Sequence, residues 1–177
     1  MIYVISDLHI GHNQPFIYEV RGYKSVEEHD AAIINNINSV VREDDTLYIL
    51  GDLAMGDIDN AKSHLENINC RNVKFIIGNH DTTNRIKMYE ELGFENLGYA
   101  TMLKCGKKHF YLSHYPTRTA NYDDDKVWNR VYNLCGHSHT SNKFDDIDMC
   151  AYHVDVESHN CTPISMNEII EDLRKFV

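Results

Sequence analysis

One arrangement recurs along this sequence: a strand-length apolar run that stops at Gly, Asp, Asn or His. Residues 2–6, 46–50, 73–77, 109–113 and 131–135 follow it, and a further β-rich run covers 152–156. Two of these runs are almost continuously apolar, the pattern of strands covered on both faces. Patterns of helical period lie between them. Residues 26–41 carry Ala31, Ile34, Ile37 and Val41 at helical spacing, with Ser25 as N-cap and Glu28 at the capping-box position. Residues 58–68 and 83–92 are weaker helices, the second stopped by Gly93, and 166–176 form an amphipathic helix after Pro163. Strands alternating with helices early, then strands and hairpins, predict an α/β chain with a mixed sheet or a two-sheet sandwich flanked by helices. With three prolines, no internal repeat and no linker, residues 1–177 read as a single domain.

What ends each run carries the chemistry. Asp7-x-His9 closes the first, and side chains two apart on extended backbone point to one side, where they can reach one metal ion. Gly51-Asp52 closes the second; its carboxylate can bridge two ions, or cap the next helix. Gly78-Asn79-His80-Asp81 follows the third, and a plain turn has no need of the imidazole of His80. His114 ends the fourth, and Gly136-His137-Ser138-His139 the fifth, placing two imidazoles at the two-residue spacing. Each motif alone has an ordinary reading. Together they put a ligand or ligand pair at five successive strand ends, where open α/β sheets place their sites. His29, His64, His109, His153 and His159 are scattered, as chance placement would leave them.

All these donors are N or O, which suits Mn²⁺, Fe, Zn²⁺ or Ni²⁺, with Mn²⁺ favoured. Two carboxylates facing two divalent ions leave net positive charge, which attracts a phosphate anion and activates water. The chain itself has a formal net charge of −10, which argues against stable binding to nucleic acid and for a small phosphate ester as partner. The acidic runs around 123–125 and 145–148 read as solvated turns and caps. No apolar run approaches membrane-spanning length. The opening residues have neither a basic start nor a long apolar stretch, so they read as a strand and not as a signal peptide. Five cysteines without a CxxC pair fit reduced thiols in a cytoplasmic protein.

In this order, DxH, GD, GNHD, H and GHxH resemble the calcineurin-like metallophosphoesterase superfamily, and the match runs from Asp7 to His139. The resemblance implies a four-layer α-β-β-α sandwich of two mixed sheets flanked by helices. It implies that Asp7, His9, Asp52 and His139 hold one metal ion and that Asp52, Asn79, His114 and His137 hold the second. Asp52 and an attacking hydroxide would bridge the two ions. His80 would be no ligand; it would stabilise charge on the phosphoryl group or protonate the leaving oxygen. The protein Ser/Thr phosphatase branch carries Asp-Arg three residues after its bridging aspartate, where this chain has Met55 and Gly56. The compact branch of bacteria and their phages is the better match, through residues 7–13 and 21–28. The alternative from another class is a non-catalytic metal-binding module on the same fold, which predicts damaged ligands or a missing His80.

Further residues are candidates. His12 and Asn13 follow the first motif and suit a substrate or ligand-orienting role, against simple turn chemistry. Arg21 and Arg118 suit phosphate clamps, since a guanidinium matches phosphate oxygens bidentately, against a solvated surface role. Asp81 is expected to cap the next helix rather than orient His80. Asp155 is placed to hydrogen-bond a ligand histidine, and Tyr122 and Trp128 to form a stacking or lid surface. His29-Asp30 prompts a helical HD-type phosphohydrolase as a rival enzyme, whose ligands would sit on helices.

Overall fold

The computed structural model describes residues 1–119, 121, 124, 126, 129–144 and 151–175. Tyr122, Trp128 and most of both acidic runs fall outside that set. Two mixed sheets pack face to face and are flanked by helices. The first has the order β4 (Glu95–Asn96), β3 (Asn72–Ile76), β2 (Thr46–Leu50), β1 (Ile2–Ile5) and β9 (Ile164–Ser165), parallel except for β9. The second has the order β5 (Ala100–Cys105), β6 (Lys108–Ser113), β7 (Val131–Cys135) and β8 (Ala151–His153); only the β5–β6 hairpin is antiparallel.

Strand alternation divides the core. Val4, Leu50 and Ile76 face the second sheet and meet Phe110, Leu112, Tyr132, Leu134 and Tyr152, joined by Ile169 and Leu173 of α5 (Met166–Lys175). Ile5, Leu47, Ile49 and Phe75 face the other way. They bury Ile33 and Ile37 of α2 (Val26–Val40), Leu65 of α3 (Ile58–Leu65), and Met88 and Tyr89 of α4 (Thr83–Glu91). Central β1 and β2 are thus covered on both faces, which is why their runs are continuously apolar. Ser25 caps α2 by accepting from the Glu28 N–H at 3.2 Å, while the Glu28 carboxylate accepts from the Lys24 N–H.

The sheets meet at the end of β1, where Ser6 bridges Asp155 and its N–H donates to the Val154 carbonyl at 2.9 Å. Because β1, β2 and β3 run parallel, as do β6 and β7, five loops leave along one seam. Those strands are not successive: β4 and β5 intervene, a correction to the expected count. Among the described residues no helix is long and apolar enough to cross a membrane.

Candidate metal centre

The pairing of β1 with β2 continues beyond the strands. Asp7 N–H donates to the Gly51 carbonyl at 3.1 Å, His9 N–H to Asp52 at 3.0 Å and Ile10 N–H to Leu53 at 3.1 Å. This ladder sets Asp7 and His9 in register with Asp52. The backbone is nevertheless not extended. Asp7, His9, Asp52, His137 and His139 all have left-handed φ, between 47 and 71°. Asp7 and His9 therefore converge through left-handed backbone and not through the strand geometry expected of DxH. Such conformations cost roughly 1–3 kcal/mol each and persist only where surrounding contacts over-determine them.

Asp7, His9 and His139 each bring one donor atom within 4.8 Å of the others, and so do Asp7, Asp52 and His114. Three imidazoles turn Nε2 inward. His114 Nδ1–H donates to the Leu50 carbonyl at 2.9 Å, and its Nε2 lies 2.8 Å from Asn79 Oδ1 and 3.5 Å from Asp52 Oδ2. His139 Nδ1 pairs with Glu157 at 2.8 Å, and its Nε2 faces Asp7 Oδ1 at 3.8 Å. His9 Nε2 stands 3.7 Å from Asp52 Oδ2 and 3.9 Å from Asp7 Oδ1. His9 Nε2 and Asp7 Oδ1 are buried without a hydrogen-bond partner. Acceptors crowded on one point, two of them orphaned, fit a cation and repel one another without it.

His137 sits beside this cluster, its ring 5.1 Å from that of His114, and its N–H donates to Asp7 Oδ2 at 2.9 Å. Burial, then the charge of Asp155, raises the Asp7 carboxyl well above its ordinary pKa, against the pull of His139. Burial and then the Arg21 charge hold His9 far down, neutral and able to donate a lone pair. Burial disfavours a charged His139, yet the Glu157 bond and the Asp7 charge raise its pKa overall.

His80 is exposed at the mouth of the cluster, its ring 5.6 Å from that of His9. Its backbone is clamped at both ends: the N–H donates to Asp52 Oδ1 at 2.8 Å, and its carbonyl accepts from Arg85 at 2.9 Å. The His12 ring lies 5.3 Å from that of His9, tilted by 40°, and lines the same cavity, whereas Asn13 is an exposed loop residue.

The outer residues need correction. The Arg21 side chain is fully buried and is no phosphate clamp. It donates to Glu157 at 2.7 Å and to the Asp7 and Leu8 carbonyls at 2.9 and 3.1 Å, with His29 at 2.8 Å. His29 in turn pairs with Asp30, which accepts from the Gly11 N–H, so the His29-Asp30 pair braces the first loop from α2. Arg118 lines a different cavity, with Met102, Tyr111 and Val131 on the far face of the second sheet. Asp81 caps nothing: Thr82 is the N-cap residue of α4. The buried Asp81 carboxylate accepts from the N–H groups of Asp52, Leu53 and Gly78 and from the Tyr89 hydroxyl, tying the loops after β2 and β3 together. Asp155 binds the His139 backbone N–H at 2.9 Å. Glu157 went unread because it follows no strand-end motif.

The uncharacterized protein MJ1445 of Methanocaldococcus jannaschii is 30% identical over 98% of this chain and 92% of its own length. The Gene 66 protein of Mycobacterium phage L5 is 43% identical over a shorter stretch, 43% of this chain and 37% of that protein. In structure, the protein of unknown function AQ665 from Aquifex aeolicus superposes with a TM-score of 0.70 at 23% identity, over 97% of this chain and 98% of that one. The profile of the calcineurin-like phosphoesterase superfamily domain matches residues 1–153. With most of the chain matched and the cluster falling inside that stretch, the protein belongs to the calcineurin-like phosphoesterase superfamily.

Proposed function

We propose that this protein is a dinuclear-metal phosphoesterase that hydrolyses a small phosphomonoester or phosphodiester, with nucleotide-type substrates favoured. The observation that carries the reading is the pair of buried, partnerless donors, Asp7 Oδ1 and His9 Nε2, at the convergence of loops from both sheets. In this reading Asp7, His9, Asp52 and His139 hold one ion, and Asp52, Asn79, His114 and His137 the other. Asp52 suits the shared position because Oδ2 lies between His9 at 3.7 Å and His114 at 3.5 Å. Two divalent ions, Mn²⁺ before Fe, Zn²⁺ or Ni²⁺, supply there the charge that binds phosphate and activates water at neutral pH.

The residues around them orient and move protons. Glu157 and the Leu50 carbonyl fix the tautomers of His139 and His114, and Asp81 and Arg21 hold the loops. Water oxygen bonds to phosphorus, the ester P–O bond breaks, and His80 gives a proton to the departing oxygen or offsets its charge. The reading is tested with metal-reconstituted protein on bis-para-nitrophenyl phosphate beside the monoester, then on nucleotides and cyclic nucleotides. Hydrolysis is expected; no turnover with Mn²⁺, Ni²⁺, Fe²⁺ or Zn²⁺ overturns it.

A further inference from the structure

The cavity of about 490 Å³ that opens onto the cluster has two unlike walls, and its volume lies within the range of small-molecule sites. One wall is polar, made of His9, His80 and His139 with Glu157. The other is apolar, made of Phe16, Ile17 and Val20 with Met55. The short helix α1 (Pro15–Tyr18) builds the apolar wall, with Pro15 starting the turn and buried Ile17 anchoring it. Phe16 is left 66% exposed and Val20 just beyond is 76% exposed.

Scattered exposed apolar side chains need no explanation. These two are not scattered: a chain of rings connects Phe16 to the cluster, and Val20 lines the same cavity. His139 packs 5.0 Å from His9, His9 lies 5.3 Å from His12, and His12 meets the edge of Phe16 at 5.7 Å and 84°. A bound phosphate would thus sit at one end of a continuous ring-lined surface and the organic part of its ester at the other. No Lys or Arg is among the described residues lining this cavity.

We propose that the α1 wall binds the organic group of the substrate and selects phosphate esters that carry a flat aromatic ring. This rests on the phosphoesterase reading above. The ring stacks on Phe16 and covers Val20, removing from water the apolar surface that both now expose. Phe16 and Val20 are then specificity residues, touching the ester substituent and not the reacting atoms.

The test measures binding of two non-hydrolysable phosphonates to the Mn²⁺-loaded protein by calorimetry: methylphosphonate and 2-naphthylmethylphosphonate. The naphthyl compound is expected to bind roughly tenfold tighter, on the order of what one stacked ring contributes. Phe16→Ser and Val20→Ser, both at exposed positions, should each shrink that ratio, with the double variant near unity. Equal binding of both compounds to the wild type, or an unchanged ratio in the double variant, overturns the inference while leaving the phosphoesterase reading intact. Binding of neither compound overturns both.

Discussion

At the scale of single residues, the site depends on side chains that never face the cavity. Asp81 is the clearest. Asp81→Ala would strand three backbone N–H groups and the Tyr89 hydroxyl in the interior. A loss of about 3–5 kcal/mol is expected in denaturant unfolding, together with weaker metal binding as the Asp52 loop loosens. Arg21→Met should cost a similar amount, because it takes the guanidinium from the Glu157 carboxylate and strips the Asp7 and Leu8 carbonyls of a donor. His80→Ala should behave oppositely, with most turnover gone but metal content and thermal midpoint kept, since its ring is exposed. Loss of metal in that variant would show that His80 is a ligand. The contrast explains what could be read from sequence. Asp7, His9, Asp52, Asn79, His80, His114, His137 and His139 stand at strand ends, where position advertises them. Arg21, Asp30 and Glu157 act through folds of the chain that bring residues 21 and 157 together, and no local spacing encodes that. Asp81 was visible, but its carboxylate reaches back to residues 52 and 53 instead of forward to its own helix.

At the scale of elements, the loops are packed so closely that glycines such as Gly78 and Gly136 have no substitute. A Cβ at Gly136 would collide with Asp7 Oδ2 and Ser6, and one at Gly78 with Asp52. Gly136→Ala should therefore push the His137 loop away from β1 and lower metal affinity more than it lowers stability, read by comparing metal titration with thermal melting. The left-handed residues Asp7, His9 and Asp52 have the same origin: loops this short turn sharply, and the hydrogen-bond ladder from residues 7–10 to 51–55 holds the strained backbone. Periodicity located β2 and β7 to the residue and α2 within one. It missed β4 and β9, two residues each, because pairs that short have no period to detect. It missed β5 as well, although Gly106 closes a two-residue turn into β6. α1 escaped notice because four residues make barely one turn.

At the scale of the whole molecule, both sheets must be in place before the cluster exists, because β1 to β3 supply one half and β6 and β7 the other. On the proposed reading, metal binding and global stability are coupled for that reason. Adding Mn²⁺ should raise the thermal midpoint, and chelation should lower it. Acidity works through Glu157. Burial opposes its charge, but His139 and Arg21 hold its pKa down at about 2, below its ordinary 4.5. The stability it contributes is complete above that ordinary value and is lost as pH falls through the folded one. Melting of the metal-free protein should therefore weaken between those two values, and Glu157→Gln should flatten that dependence. Anomalous diffraction at the manganese edge, on crystals grown with Mn²⁺, tests the central claim most directly. Two peaks are expected, one among Asp7, His9, Asp52 and His139 and the other among Asp52, Asn79, His114 and His137. A single peak, or none at these residues, would contradict a dinuclear centre.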